Sequence, residues 1–194
     1  MYADVSEPTL KREPLNQDRI VQAALAIADA EGLGALTMRR LAVELGAAPM
    51  AAYSHFRDKR ELLAAVVDAV MAEVELPEVD GRWRKPIRRL AESLRRALLA
   101  HPAVMPAVNV YGAGGPATLA VVDRAHGILR GSGFADEQAV AAVDTLYAFT
   151  LGAVSLEIGR ASADPAARSD EDRFRDGLDR VLAGIAAAGR APAT

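Results

Sequence analysis

The sequence predicts an all-α fold. Apolar residues recur at i, i+3, i+4 and i+7 spacing along most of the chain, and no run alternates with the two-residue period of a half-buried strand. Ten prolines and fifteen glycines punctuate the segments between. With 194 residues, 51% of them hydrophobic, the chain can form one or two domains and bury around 70% of its unfolded surface. It contains no cysteine, which excludes a disulfide framework, a thiolate metal site and a cysteine nucleophile, and fits a reducing cytoplasm. The acidic, proline-broken stretch from Met1 to Pro8 lacks the basic and apolar regions of a signal peptide. The longest uncharged run of the apolar C-terminal half, Thr145 to Leu156, falls short of the roughly 20 residues of a membrane span. A cytoplasmic protein without a membrane partner is expected.

After a flexible tail over 1–15, Asn16 caps a first helix whose face carries Ile20, Ala24, Ile27 and Ala28, and Gly32 stops it. Thr37 caps a short helix bearing Leu41, Ala42 and Leu45, which Gly46 ends by supplying a left-handed residue. Pro49 suits the first position of a third helix that carries Tyr53, Ser54 and His55. Asp58 followed by Glu61 forms a capping box, opening a longer helix with Leu62, Leu63, Val66, Val67, Val70, Met71 and Val74. Pro77 and Gly81 interrupt any helix over 76–81, so one domain is expected over 16–75 and a second over 76–194. Further helices are expected at about Pro86 to Ala100, Val104 to Val110, Pro116 to Arg130, closed by Gly131 and Gly133, then Asp136 to about Arg160 and Ser169 to Ala188.

The last two helices carry small residues in rows. Ala148, Gly152, Ser155 and Gly159 follow i, i+4, i+7, i+11 spacing; Gly177, Gly184 and Ala188 lie beside Leu178, Val181, Leu182 and Ile185. Glycine inside a helix costs about 0.5 to 1 kcal/mol relative to alanine, so a close-packing role is expected. A two-fold homodimer joined through a four-helix bundle of these helices is the preferred expectation; packing within one subunit is the alternative.

The net charge is −3, yet from Leu36 to Arg60 five basic residues, Arg39, Arg40, Arg57, Lys59 and Arg60, face only Glu44 and Asp58. This segment has the layout of a helix-turn-helix. Leu41 and Leu45 form its ridge, Ala42 permits a close crossing, and Gly46 makes the turn. Its second helix would enter the major groove of duplex DNA, with flanking residues on phosphate.

From Ile20 to about Val70 the sequence resembles the tetracycline-repressor (TetR) family of bacterial transcriptional regulators. The likeness rests on residues 30–37, 41–46 and 52–63, above all on the spacing of Tyr53, His55, Phe56 and Lys59. The resemblance implies that Thr37 caps its helix and touches phosphate, and that Arg39 reaches the backbone or a base edge. It places Ala48, Pro49, Met50 and Ala51 against bases, and Tyr53 and His55, with Ser54 between them, on phosphates. Lys59 would hold a phosphate at a helix N-terminus. Because Pro49, Met50 and Ala51 offer no bidentate donor, thymine methyls, Arg39 and DNA shape should carry more of the specificity. Phe56 is expected in the core.

Trp83, the segment 95–101, Gly133, Phe134 and the segment 149–154 are similar to the tetracycline-repressor subclass of that family. The implied partners are operator DNA, a second copy of the chain and a small-molecule effector. Glu75, Leu90 and either Val108 or Asn109 stand where that subclass holds its drug and its magnesium ion, which argues against a tetracycline–magnesium effector. No cofactor or metal is expected. Pocket candidates are Leu90, Leu94, Met105, Asn109, Tyr111, Arg124, His126, Tyr147 and Leu151, with ordinary core as the alternative for Leu94, Met105 and Leu151. The implied mechanism is a repressor released when effector binding moves the two heads out of register with one DNA turn of roughly 34 to 36 Å.

An enzyme is the rival from another class. His55, His101 and His126 are too scattered for a helical metal motif, and the glycines at 112, 114 and 115 lack the preceding strand and following lysine of a phosphate loop. The runner-up reading is a helical ligand-binding or interaction protein that does not bind DNA.

Overall fold

Local hydrogen-bonding side chains set where the N-terminal helices begin. In the computed structural model, which describes residues 15–47, 54–79, 82–112, 114–163 and 170–189, α1 spans Gln17–Glu31 and Asn16 Oδ1 accepts from the Arg19 amide at 2.8 Å. Its buried face is Ile20, Val21, Ala24, Leu25, Ile27 and Ala28. Gly32, at φ +83°, ends it, and a single 3-10 turn over Leu33–Ala35, unforeseen in the sequence, delivers fully buried Leu36 to the core. Helix α2 spans Met38–Leu45; Thr37 Oγ1 accepts from the Arg40 amide at 3.1 Å, and Gly46 closes it in the left-handed region at φ +58°. Helix α3 spans Lys59–Met71, with Asp58 Oδ1 accepting from the Glu61 amide at 2.9 Å. The Glu61 carboxylate reaches the Arg57 amide at 2.7 Å, so the return bond of the expected capping box lands one residue earlier. The helix expected after Pro49 and the loop containing Pro165 lie outside the described residues.

After α3 follow α4 (Arg84–Ala100), a 3-10 turn over Pro102–Val104, α5 (Met105–Tyr111), α6 (Pro116–Gly131), α7 (Asp136–Ala163) and α8 (Asp170–Ala188). Gly131 belongs to α6 rather than closing it, because the chain leaves only at Ser132 and Gly133, the latter at φ +89°. Among the described residues there is no strand.

Helix α1 packs on α2 and α3; α3 then runs against α4, α5 and α6; α7 lies against α4, α6 and α8. One apolar cluster extends continuously from Ile20 to Ile185. The segment Asp136–Ala161 of α7, with a mean hydropathy of 1.6, is long and apolar enough to cross a membrane. This corrects the run-length argument, since Asp144 divides the uncharged run without making the helix polar. Within the fold one face of α7 is buried: Ala139, Ala142, Val143, Leu146, Thr150 and Val154 point inward.

Candidate nucleic-acid interface and ligand cavity

Thr37 and Arg39 are exposed at the start of α2. The neighbouring Arg40 is committed elsewhere: its guanidinium meets Glu31 at 2.6 Å and Glu44 at 2.8 Å, tying the end of α1 to α2. Those two hydrogen bonds raise its pKa further. Arg39 is therefore the guanidinium of α2 that faces solvent. Ser54 and His55 lie in a turn, which corrects their expected place on a helix; the chain is already out of helical geometry there, before Asp58 takes up the extended cap conformation at φ −155°. Gln17 Nε2 donates to the His55 carbonyl at 3.1 Å and ties this turn to the start of α1. Phe56 is buried, as expected, and Lys59 and Arg60 are exposed at the first turn of α3. There the helix dipole, added to the two cationic side chains, favours an anion. Arg57, 88% exposed, pairs with Glu61 at 3.2 Å, and its hydrogen bonds hold the Glu61 carboxyl below its usual range. Ala48, Pro49, Met50, Ala51 and Tyr53 lie outside the described residues.

Two polar joints connect this head to the remainder. On α3, Asp68 accepts from the amides of Thr118 at 2.9 Å and Ala117 at 3.2 Å and from the Thr118 hydroxyl at 3.2 Å, so a carboxylate caps the N-terminus of α6. Gly115 permits this approach, because a Cβ there would lie 2.0 Å from Asp68 Oδ1. His101, just after α4, bridges Asp29 of α1 at 2.7 Å and Glu73, just after α3, at 3.0 Å. Neither joint was foreseen, since their partners are far apart in sequence.

A cavity of about 50 Å³ lies between α4, α6 and α7. Of the expected pocket residues, Leu90, Leu94 and Tyr147 line it. The others do not: Met105 is buried core, Asn109 is exposed, and Arg124 donates to the Pro77 carbonyl at 3.1 Å. Tyr111, His126 and Leu151 are half-buried away from its wall. The remaining wall comes from Ile87, Ala91, Val121, Val122, Ala125, Val143, Leu146 and Thr150, whose helical periodicity marks burial but cannot separate a cavity wall from core. Burial raises the Tyr147 phenol pKa, so the hydroxyl stays neutral.

Along α7 the row of Ala148, Gly152, Ser155 and Gly159 is exposed, and a Cβ at Gly152, Gly159 or Gly184 would meet nothing within 4 Å. Val181 is half-buried. Three residues expected at a subunit interface are instead internal: Leu178 and Ile185 are buried, and Gly177 lies under the Phe149 ring, 2.7 Å from where its Cβ would stand. The spacing pattern therefore combines an exposed row on α7 with residues that pack inside the chain.

A helix-turn-helix head with a locally basic segment over 36–60, joined to a helical domain with its own cavity, is the architecture of a ligand-responsive DNA-binding regulator. Comparison with known proteins gives the family. Residues 20–66 match the family described as bacterial regulatory proteins, tetR family, and residues 76–171 match the tetracyclin repressor-like C-terminal domain. The HTH-type transcriptional repressor DrrR1 of Streptomyces coeruleorubidus is 30% identical over 180 residues, covering 92% of this chain and 67% of its own length. The class A tetracycline repressor from transposon 1721 of Escherichia coli is 34% identical over 74% of this chain and 67% of its own. Streptomyces coelicolor ActR in complex with actinorhodin superposes with a TM-score of 0.83 at 33% identity, covering 92% of this chain and all of that one. BioQ with its double-stranded DNA operator gives 0.74 at 33% identity, covering 90% and 99%. The chain belongs to the TetR family of bacterial regulatory proteins.

Proposed function

We propose that this protein is a homodimeric, cytoplasmic transcriptional repressor without enzymatic activity, released from its operator by a small molecule bound between α4, α6 and α7. The observation that carries the reading is the Asp68 clamp: the helix leading out of the head holds the N-terminus of a cavity-wall helix. Movement of α6 is thereby passed to α3. The head comprises residues 16–75 and the effector and dimer domain 76–194. Thr37, Tyr53, Ser54, His55 and Lys59 contact the DNA backbone, Arg39 reaches the backbone or a base edge, and Ala48, Pro49, Met50 and Ala51 face bases. The exposed rows of α7 and α8 pair with those of a second copy. DNA-bound BioQ and actinorhodin-bound ActR, similar in fold, support both halves of the reading.

The test is fluorescence anisotropy of the full-length protein against tiled duplexes from the DNA flanking its own gene, extended to selected genomic DNA. One site bound near nanomolar affinity with a steep salt dependence establishes the repressor. A folded dimer that prefers no sequence in either set leaves the helical ligand-binding protein as the surviving reading.

A further inference from the structure

The wall of the cavity specifies its ligand's chemistry. Leu90 and Leu94 of α4, Val121 and Ala125 of α6 and Leu146 of α7 surround it, and among the described residues Tyr147 is the sole ionisable side chain in its lining. A charge buried there would have no counter-ion. The Thr150 hydroxyl donates to the Leu146 carbonyl at 2.8 Å and is already engaged. The Tyr147 hydroxyl makes no hydrogen bond among the described residues; it stands over Gly112, where a Cβ would lie 2.8 Å away.

A magnesium chelate does not fit this wall, which contains no carboxylate, imidazole or thiolate. Glu75 is paired with Arg96 at 3.0 Å, Val108 is buried and Asn109 is exposed. Among the described residues no group of three His, Asp or Glu side chains could hold a metal.

We propose, resting on the regulator reading above, that the effector is an uncharged, metal-free and largely apolar molecule whose one hydrogen-bonding group meets the Tyr147 hydroxyl. Its size follows from the space. An apolar cavity of about 150 Å³ holds benzene, so with about 50 Å³ available an effector of that size requires the walls contributed by α4, α6 and α7 to move apart. That displacement loads the Asp68 bonds to Ala117 and Thr118, which lead to α3 and the head.

The experiment is equilibrium dialysis of the full-length protein, without DNA, against 1-naphthol, 1-naphthalenesulfonate and tetracycline with magnesium. Saturable binding of 1-naphthol is expected, at least 100-fold tighter than the sulfonate and the chelate. Tyr147→Phe should weaken it about 3- to 10-fold through loss of one neutral hydrogen bond. Ala125→Leu should abolish it by filling the cavity, with thermal unfolding confirming that both variants fold. Equal or tighter binding of either charged ligand, no binding of 1-naphthol, or 1-naphthol binding that survives Ala125→Leu overturns the proposal. An unchanged Tyr147→Phe overturns the hydroxyl assignment. Because no DNA is present, failure to find an operator would sink the regulator reading alone, and failure of 1-naphthol to bind an operator-competent protein would sink the effector class alone.

Discussion

The carboxylate of Asp68 accepts the Thr118 amide at 2.9 Å, joining the helix that leaves the DNA-binding head to the helix that walls the cavity. Removing this cap by Asp68→Ala should cost about 1 kcal/mol of unfolding free energy in urea. Gly115→Ala has no backbone obstacle, since Gly115 sits at φ −87°, but its Cβ would collide with Asp68. Its cost should shrink in the Asp68→Ala background. An additive double-mutant cycle would contradict the clamp.

His101 supplies a pH dependence. Burial lowers its pKa, but the hydrogen bonds to Asp29 and Glu73 together outweigh that, and the net shift is upward from 6.5. A raised folded-state value means that the stabilisation is fully present below the unfolded pKa of about 6.5 and is lost as pH rises through the folded one. Urea unfolding from pH 5.5 to 8.5 should therefore show a decline in the wild type that His101→Gln lacks. Parallel pH profiles would contradict the assignment.

The Arg95–Glu157 pair joins α4 to α7 by two bonds of 2.7 and 2.9 Å, with side chains only 12% and 18% exposed, and Arg95 also stacks over Phe174 at 5.3 Å. Glu157→Ala leaves a shielded guanidinium without its partner and should cost about 2 to 3 kcal/mol. Glu61→Ala, which frees exposed Arg57, should cost clearly less, because that pair is screened by solvent. Chemical denaturation of the two variants side by side checks the order.

Gly152 tests the subunit interface. Nothing lies within 4 Å of a Cβ there, so Gly152→Arg should leave the fold of one chain intact while blocking close approach of a second α7. Sedimentation velocity should show the variant as a monomer at concentrations where the wild type is a dimer. A Gly152→Arg dimer as tight as wild type would place the interface elsewhere.

What the sequence made legible was local. Asn16, Thr37 and Asp58 act within three residues of themselves, so helix starts could be read from residue type and spacing. Asp68 and His101 were invisible for the opposite reason: their partners lie 28 to 72 positions away, and neither charge pattern nor periodicity encodes that distance. Periodicity identified buried faces but not their neighbours. Periodicity therefore places Leu178 and Gly177 in a second subunit although Leu178 is fully buried and Gly177 lies under the Phe149 ring of the same chain, and places Asn109 in a pocket although it faces solvent. Fine boundaries depended on small energies: one 3-10 turn at Leu33–Ala35, and Gly131 retained in α6.

The most direct test of DNA binding through this head is the salt dependence of operator affinity for wild type and Lys59→Ala. Each phosphate contact removed should flatten the slope of log K against log salt by about 0.9, so a dimer that loses both copies of Lys59 should lose about 1.8. A Lys59→Ala dimer that remains folded and keeps the wild-type slope and affinity would contradict the placement of DNA on the α3 N-terminus.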